Sequence, residues 1–295
     1  MSHLKGESLR VILIILAGWS FFSFADISTK YLSTDFNAPL ILTFSGLLAT
    51  SILVLWILFD RGWKGFLSPN WKLLIARGAC IGITATGVVN ALALIPLADL
   101  YGITFSAPFI SVCLAYTVLK EHVGWHRWLA VIIGFIGVII LLGPQFGAMN
   151  KGILYAVIAT ATIATGSIII RKIGKNEYLP LFILYPYIGI LTVNLPMAWP
   201  TLELPPAPAI WTFIANALFV LGGQLLVTHA IAHAKTIASV APFVYVQIIW
   251  GVIFGYFFFA ETPTSATIAG LILIVSAGLY MIYRENQLRK LHANH

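Results

Sequence analysis

The residues of this chain that could do chemistry are acids, imidazoles and amides set inside long apolar stretches. Asp26 is the one acid deep in such a stretch, where an ionised group is costly and defaults to a proton or substrate site. Lys30 follows at i+4 on the same helical face, and an acid placed before a base at that spacing forms a favourable pair. Lys30 also stands near the end of its stretch, where its stem can snorkel to water. Asp26 and Lys30 are therefore a structural pair or a proton site. His229 and His233, like His122 and His126, are spaced i,i+4, which puts two imidazoles on one helix face and suits a metal. Neither pair has the intervening glutamate of H-E-x-x-H, and Cys80 and Cys113 add no metal or disulfide pattern, so no cofactor is expected. His229 is left as a substrate contact or an interhelical hydrogen-bonding group.

Uncharged polar groups are more numerous. Thr84, Thr86 and Asn90 stand in one apolar stretch, Tyr101, Thr104 and Ser106 in the next, and Thr160, Thr162, Thr165 and Ser167 in another. Asn216, Gln224, Ser239, Tyr245 and Gln247 fall in the second half, and Trp19, Phe105, Tyr185, Phe243 and Trp250 add aromatic surface. Such groups either join helices or line a site. Pro108 and Pro242 are expected in mid-helix, where a missing donor frees a carbonyl or marks a bend.

The elements that must carry these residues follow from the charge. Only 9% of the 295 residues are charged, against roughly 25% in a soluble globular protein, which excludes a soluble enzyme. About 20 apolar residues at 1.5 Å rise cross a hydrocarbon core of about 30 Å. Charge-free runs of that length, plus the first stretch, place ten membrane helices at 11–30, 39–59, 73–95, 99–119, 128–143, 152–171, 178–198, 209–232, 236–259 and 266–283. The runs are continuously apolar, which points to helices rather than barrel strands. The first run lacks a cleavage site and is read as a retained helix.

With a cytoplasmic N-terminus, all of the 17 lysines and arginines except Lys30 and Lys151 fall on the inside, a strong positive-inside bias. Ten spans then leave both termini in the cytoplasm. Trp63, Trp71, Trp125, Trp128, Trp199 and Trp211 fall near span ends, where amphipathic indoles belong. The net charge of +7 records topology; the basic residues form no face for nucleic acid.

The two halves echo each other. Ala107-Pro108-Phe109 recurs as Ala241-Pro242-Phe243, and each is followed by an apolar run ending in a glutamate, Glu121 and Glu261. Small residues follow at matching distances, Ala130 and Gly137 in the first half and Gly270 and Ala277 in the second. The separation from proline to glutamate differs between the halves, so the register is imperfect. A glutamate at a helix start is favoured by the helix dipole and by capping of free N–H groups, and this reading outweighs substrate contact for Glu121 and Glu261. An odd number of spans per repeat inverts the second copy, the arrangement many secondary transporters use for two alternative gates.

These ten spans, the Ala-Pro-Phe elements and the glutamates entering the fifth and tenth helices resemble the drug/metabolite transporter superfamily, EamA type, over nearly the whole chain. Within it the aromatic-rich middle helices are most similar to bacterial aromatic amino-acid exporters. The resemblance implies an all-α integral membrane protein of ten helices in two inverted five-helix repeats around a central cavity. The first repeat is expected over 1–147, the second over 148–285 and a short cytoplasmic tail over 286–295. The cavity so implied would draw on Trp19, Asn90, Tyr101, Thr104 and Thr162, and on Tyr185, Gln224, His229, Tyr245 and Trp250.

The expected activity is alternating-access export of neutral amphipathic metabolites, aromatic and other neutral amino acids foremost, across a bacterial inner membrane. A drug/proton antiporter using Asp26 is the alternative within transport. An integral-membrane enzyme is disfavoured because no catalytic cluster is found, and no phosphate loop suggests an ATP-driven pump. The expected partners are the lipid bilayer and a small neutral solute, with no nucleic acid. The glycine-rich faces fit a monomer or a weak dimer.

Overall fold

The computed structural model describes the backbone of residues 2–118, 120, 124–143, 150–173, 177–233 and 241–293, and the side chains of most of them. Glu121, His122 and Ser239 lie outside the described residues, as do the side chains of His233 and Pro242. Among the described residues every regular element is helical. In chain order these are α1 (Ser2–Leu32), α2 (Ala38–Arg61), α3 (Trp71–Leu92), α4 (Leu97–Thr104), α5 (Ala107–Val118), α6 (Trp125–Leu142), α7 (Lys151–Ile173), α8 (Leu179–Ala198), α9 (Ala207–His233), α10 (Val246–Phe259) and α11 (Ser265–Ala293).

Nine helical stretches among the described residues are long and apolar enough to cross a membrane, and Phe243–Phe259 is a shorter apolar helix. The other nine expected spans match the nine long stretches within a few residues, because charge is the property a bilayer excludes most strongly, whereas the ninth, 236–259, begins outside the described residues. Trp63, Trp71, Trp125, Trp199 and Trp211 are exposed at or near helix ends.

The fourth span differs from expectation. It is two helices, α4 and α5, parted by a turn at Phe105 and Ser106, whose hydroxyl turns back to the Ile103 carbonyl at 2.6 Å. Pro108 is the second residue of α5, where a helix has spare N–H groups in any case, so it opens a helix instead of interrupting one. Pro242 likewise stands second in the 3₁₀ turn Ala241–Tyr245 that precedes α10. The two Ala-Pro-Phe elements thus share a role as helix starts. The halves share a second mark: Lys120 at φ 56° and Ala260 at φ 52° are the non-glycine residues with positive φ among those described, and each immediately precedes one of the paired glutamates.

The helices gather into two compact units, and neither coincides with one half of the sequence. The first comprises Met1–Ser23, Pro96–Asn150 and Gly223–His295; the second comprises Phe24–Ile95 and Lys151–Gly222. Repeats are units of sequence, whereas these are units of packing, so each draws helices from both halves.

In the first unit α6 lies along α11, so close that a Cβ added at Gly270 would stand only 2.6 Å from the Gly137 carbonyl oxygen. Phe109 is fully buried there beside Gly134, which leaves room for its ring. In the second unit α3 packs on α7 and α8. A Cβ at Gly78 would come within 2.5 Å of the Tyr185 carbonyl oxygen, and one at Gly82 within 2.5 Å of the Gly189 carbonyl oxygen, so these backbones touch directly.

Buried amides knit the second unit. Asn216 accepts from Ser45 Oγ at 2.8 Å and donates to Thr29 Oγ1 at 2.7 Å and to the Ala25 carbonyl at 2.9 Å. Asn194, fully buried, accepts from Thr86 Oγ1 at 3.0 Å. At one end of this unit Tyr178, the residue preceding α8, donates to Asp60 Oδ2, and Arg61 lies 3.9 Å over its ring. Burial, then the hydrogen bond and the charge of Asp60, push the Tyr178 hydroxyl up to about 12 while Arg61 pulls it down.

Candidate functional site

The sequence-derived site residues divide between the two units. Trp19, Tyr101, Thr104, Gln224, His229, Tyr245 and Trp250 belong to the first; Asp26, Lys30, Asn90, Thr162 and Tyr185 belong to the second.

In the first unit the break after α4 places aromatic rings together. Tyr101 stacks on Phe105 with centroids 5.8 Å apart, and Phe105 meets Tyr245 edge-on at 5.6 Å. Trp250 stacks on Phe254 at 4.9 Å and donates its indole N–H to Ser20 Oγ at 2.9 Å, tying α10 to α1. Trp19 lies 5.6 Å from Phe22, and its Nε1 is buried without a hydrogen-bond partner. A buried donor left unpaired costs about 1–3 kcal/mol, so this N–H is a ready donor for a polar ligand atom.

Other polar groups are committed to their own helices. Thr104 Oγ1 donates to the Leu100 carbonyl at 2.9 Å, and Gln224 Nε2 reaches Thr228 Oγ1 at 3.4 Å on α9. His229 is exposed. Hydroxyls that back-bond to the preceding turn satisfy themselves in an apolar setting, so spacing alone cannot separate them from ligand-binding groups.

In the second unit Thr162 shares a 2.6 Å hydrogen bond with Thr84, joining α7 to α3. Asn90 donates to the Thr86 carbonyl at 2.8 Å within α3. Lys30 donates to the Ile95 carbonyl at 2.9 Å, an acceptor beyond the end of α3 that the i,i+4 reading of Asp26 and Lys30 does not foresee. Asp26 is half-buried.

Glu261 acts on a helix other than the one expected. Its Oε2 accepts the Leu97 backbone N–H at 3.2 Å and so caps α4, whose own flanking residue is Pro96 and offers no side-chain acceptor. The helix that follows Glu261, α11, is capped by Thr264, whose Oγ1 accepts from the Thr267 N–H at 3.1 Å. Thr267 in turn donates to Asp99 Oδ1 at 2.8 Å, in the first turn of α4. A cavity of about 70 Å³ lies between these groups, lined by Asp99, Glu261, Thr264 and Thr267 with Gly251 and Gly255 of α10.

Asp99 escaped the sequence reading because it served there only as the edge of a charge-free run. Its place two residues after Pro96-Leu97 is the signal that could have found it, since acids gather in the first turn of a helix. Replacing Glu261 by alanine is expected to lower stability by about 1 kcal/mol through loss of the α4 cap. Thermal unfolding in detergent measures the loss, and the same loss in Thr264→Ala would report the α11 cap independently.

Among the described residues no group of three or more histidine, cysteine, aspartate or glutamate side chains could hold a metal ion. The candidate residues of the two units are mainly aromatic rings, amides and hydroxyls.

Comparison with known proteins agrees in kind. The EamA-like transporter family matches twice, over residues 9–143 and 150–284, each the length of five spans. The S-adenosylmethionine uptake transporter of Rickettsia felis is 29% identical over 266 residues, covering 89% of this chain and 88% of that protein. The pseudopaline exporter of Pseudomonas aeruginosa is 26% identical over 273 residues, covering 90% and 93%. The riboflavin transporter of Vibrio cholerae is 27% identical over 222 residues, covering 74% and 73%. One solved crystal structure, 14% identical, shares the fold at a TM-score of 0.64 over 95% of this chain and 98% of that one. Two matches to one family model, together spanning most of the chain, and nine helices among the described residues long and apolar enough to cross a membrane lead to one conclusion: the chain is a multi-pass membrane transporter of small solutes and belongs to the EamA-like transporter family.

Proposed function

We propose that this transporter exports neutral amphipathic metabolites, aromatic and other neutral amino acids foremost, across a bacterial inner membrane by alternating access, with both termini in the cytoplasm. The observation that carries the reading is the partly exposed aromatic pair Phe105 and Tyr245, backed by the buried ring of Tyr101, beside the break in the fourth span. A ring added to such a set gains about 0.5–1.5 kcal/mol beyond area burial. The unpaired Trp19 N–H offers a donor suited to a carboxylate oxygen. The scarcity of charge in the spans favours a solute without net charge.

The charge asymmetry that puts all but Lys30, Lys151 and the buried Arg77 on one side supports the orientation. Residues 1–147 and 148–285 form the two repeats in this reading.

The experiment is a flux measurement on Tyr245→Ala in proteoliposomes with radiolabelled phenylalanine. Loss of a ring contact worth about 1 kcal/mol is expected to raise KM by about fivefold with a smaller change in maximal rate. An unchanged KM would remove Tyr245 from the solute surface. A second reading, S-adenosylmethionine, is favoured by the 29% identity to a transporter of that solute; the molecule is itself an amino acid bearing an aromatic base. Its sulfonium charge would call for an acid, and Asp26 is the intramembrane candidate. Asp26→Asn should then abolish S-adenosylmethionine flux while sparing phenylalanine flux.

A further inference from the structure

Arg77 is the one charged side chain buried among the described residues, at 4% exposure, in the second turn of α3. A guanidinium there would ordinarily be matched by a carboxylate. Its partners instead both belong to Phe182 of α8: Nη1 donates to the Phe182 carbonyl at 2.6 Å, and the guanidinium carbon lies 3.9 Å from the centroid of the Phe182 ring. Nε has no hydrogen-bond partner.

The reason for this carbonyl lies four residues on. Pro186 stands inside α8, and a proline supplies no N–H to the carbonyl at i−4, which is that of Phe182. The proline ring also crowds that carbonyl. An orphaned carbonyl in the apolar span needs a donor from elsewhere, and Arg77 provides it. The helix runs unbroken from Leu179 to Ala198 through Pro186. The next residue of α3, Gly78, lies against the Tyr185 carbonyl, so the contact sits beside a close approach of the two backbones.

We propose that Arg77 is a positioning residue for the seventh span: its guanidinium replaces the N–H that Pro186 removes and so holds the Phe182–Tyr185 turn in register against α3. Arg77 acts through Phe182 and touches no solute. Pro186 provides a weak point in α8, and Arg77 keeps it closed. The cation–π contact keeps the buried charge in place, and the two residues form one device that neither provides alone.

The test compares Arg77→Leu, Pro186→Ala and the double variant with the native protein in lipid nanodiscs, reading amide hydrogen exchange across α8 and, as controls, α2 and α6. Arg77→Leu is expected to speed exchange at residues 183–190 at least tenfold while leaving α2 and α6 within about twofold. Pro186→Ala restores the backbone donor, so the double variant should return the same segment to within about threefold of native. Equal acceleration in the single and double variants, or none in Arg77→Leu, overturns the proposal. Should Arg77→Leu fail to fold, recovery of folded protein in the double variant carries the same meaning, and failure of both contradicts it. No readout depends on which solute is transported.

Discussion

Replacing Gly189 by valine is expected to be the most destabilising single substitution in the second unit. A Cβ at this position would overlap the Gly78 carbonyl group, which is backbone and has no rotamer through which to yield. Relief would require α3 and α8 to move apart along the whole contact through Gly78, Gly82 and Gly189, loosening the close packing that stands in for hydrophobic drive between helices in lipid. Overpacking a core commonly costs 1–3 kcal/mol, and a clash fixed on both sides by backbone belongs at or above the upper end, about 3 kcal/mol. The amount of monodisperse protein recovered in detergent measures this. Ile188→Val, at the exposed neighbouring position, is the control expected to change stability by less than about 0.5 kcal/mol. Native yield from Gly189→Val would mean that the helices do not meet at these residues.

Asn216→Leu should be the next most damaging substitution. It removes the acceptor of Ser45 and the donor to Thr29 and to the Ala25 carbonyl, stranding two buried hydroxyls in the second unit. The Ala25 carbonyl keeps an acceptor's place in its own helix, so the loss falls mainly on Ser45 and Thr29. Interhelical hydrogen bonds in membranes are worth about 1–2 kcal/mol in model helices and less in some proteins, so a total near 2 kcal/mol is expected. Graded SDS unfolding measures it. Combining Asn216→Leu with Ser45→Ala and Thr29→Val removes the stranded groups and should recover about half of the loss, since replacing all partners by apolar groups can be nearly neutral. Full loss in the triple variant would place the cost in shape rather than in polarity.

The spans are legible because a bilayer reads charge directly, and nine of the ten expected spans coincide with described helices to within a few residues. Positions that depend on a partner distant in the chain were not. Glu261 was recognised as a capping acid, but its helix is α4, reached across 164 residues, and no local pattern reports that. Pro108 and Pro242 drew attention as helix breakers, yet both begin helical segments. Pro186, inside α8, does leave a carbonyl without its helical donor, and an arginine on another helix supplies the donor in its place. Arg77 itself entered the sequence reading only as one charge in a topology count. Of the aromatic candidate residues, Tyr101 and Tyr245 come together in the first unit on either side of Phe105, whereas Tyr185 belongs to the second. Thr104, by contrast, spends its hydroxyl within its own helix, a choice that periodicity does not encode.

Counterflow into proteoliposomes preloaded with unlabelled solute tests the central claim most directly. Radiolabelled phenylalanine, tryptophan, S-adenosylmethionine and riboflavin are offered in turn, with and without an imposed pH gradient. The neutral amino-acid reading predicts saturable uptake of phenylalanine and tryptophan above empty liposomes, persisting without the gradient. Uptake of S-adenosylmethionine or riboflavin with none of either aromatic amino acid would contradict it.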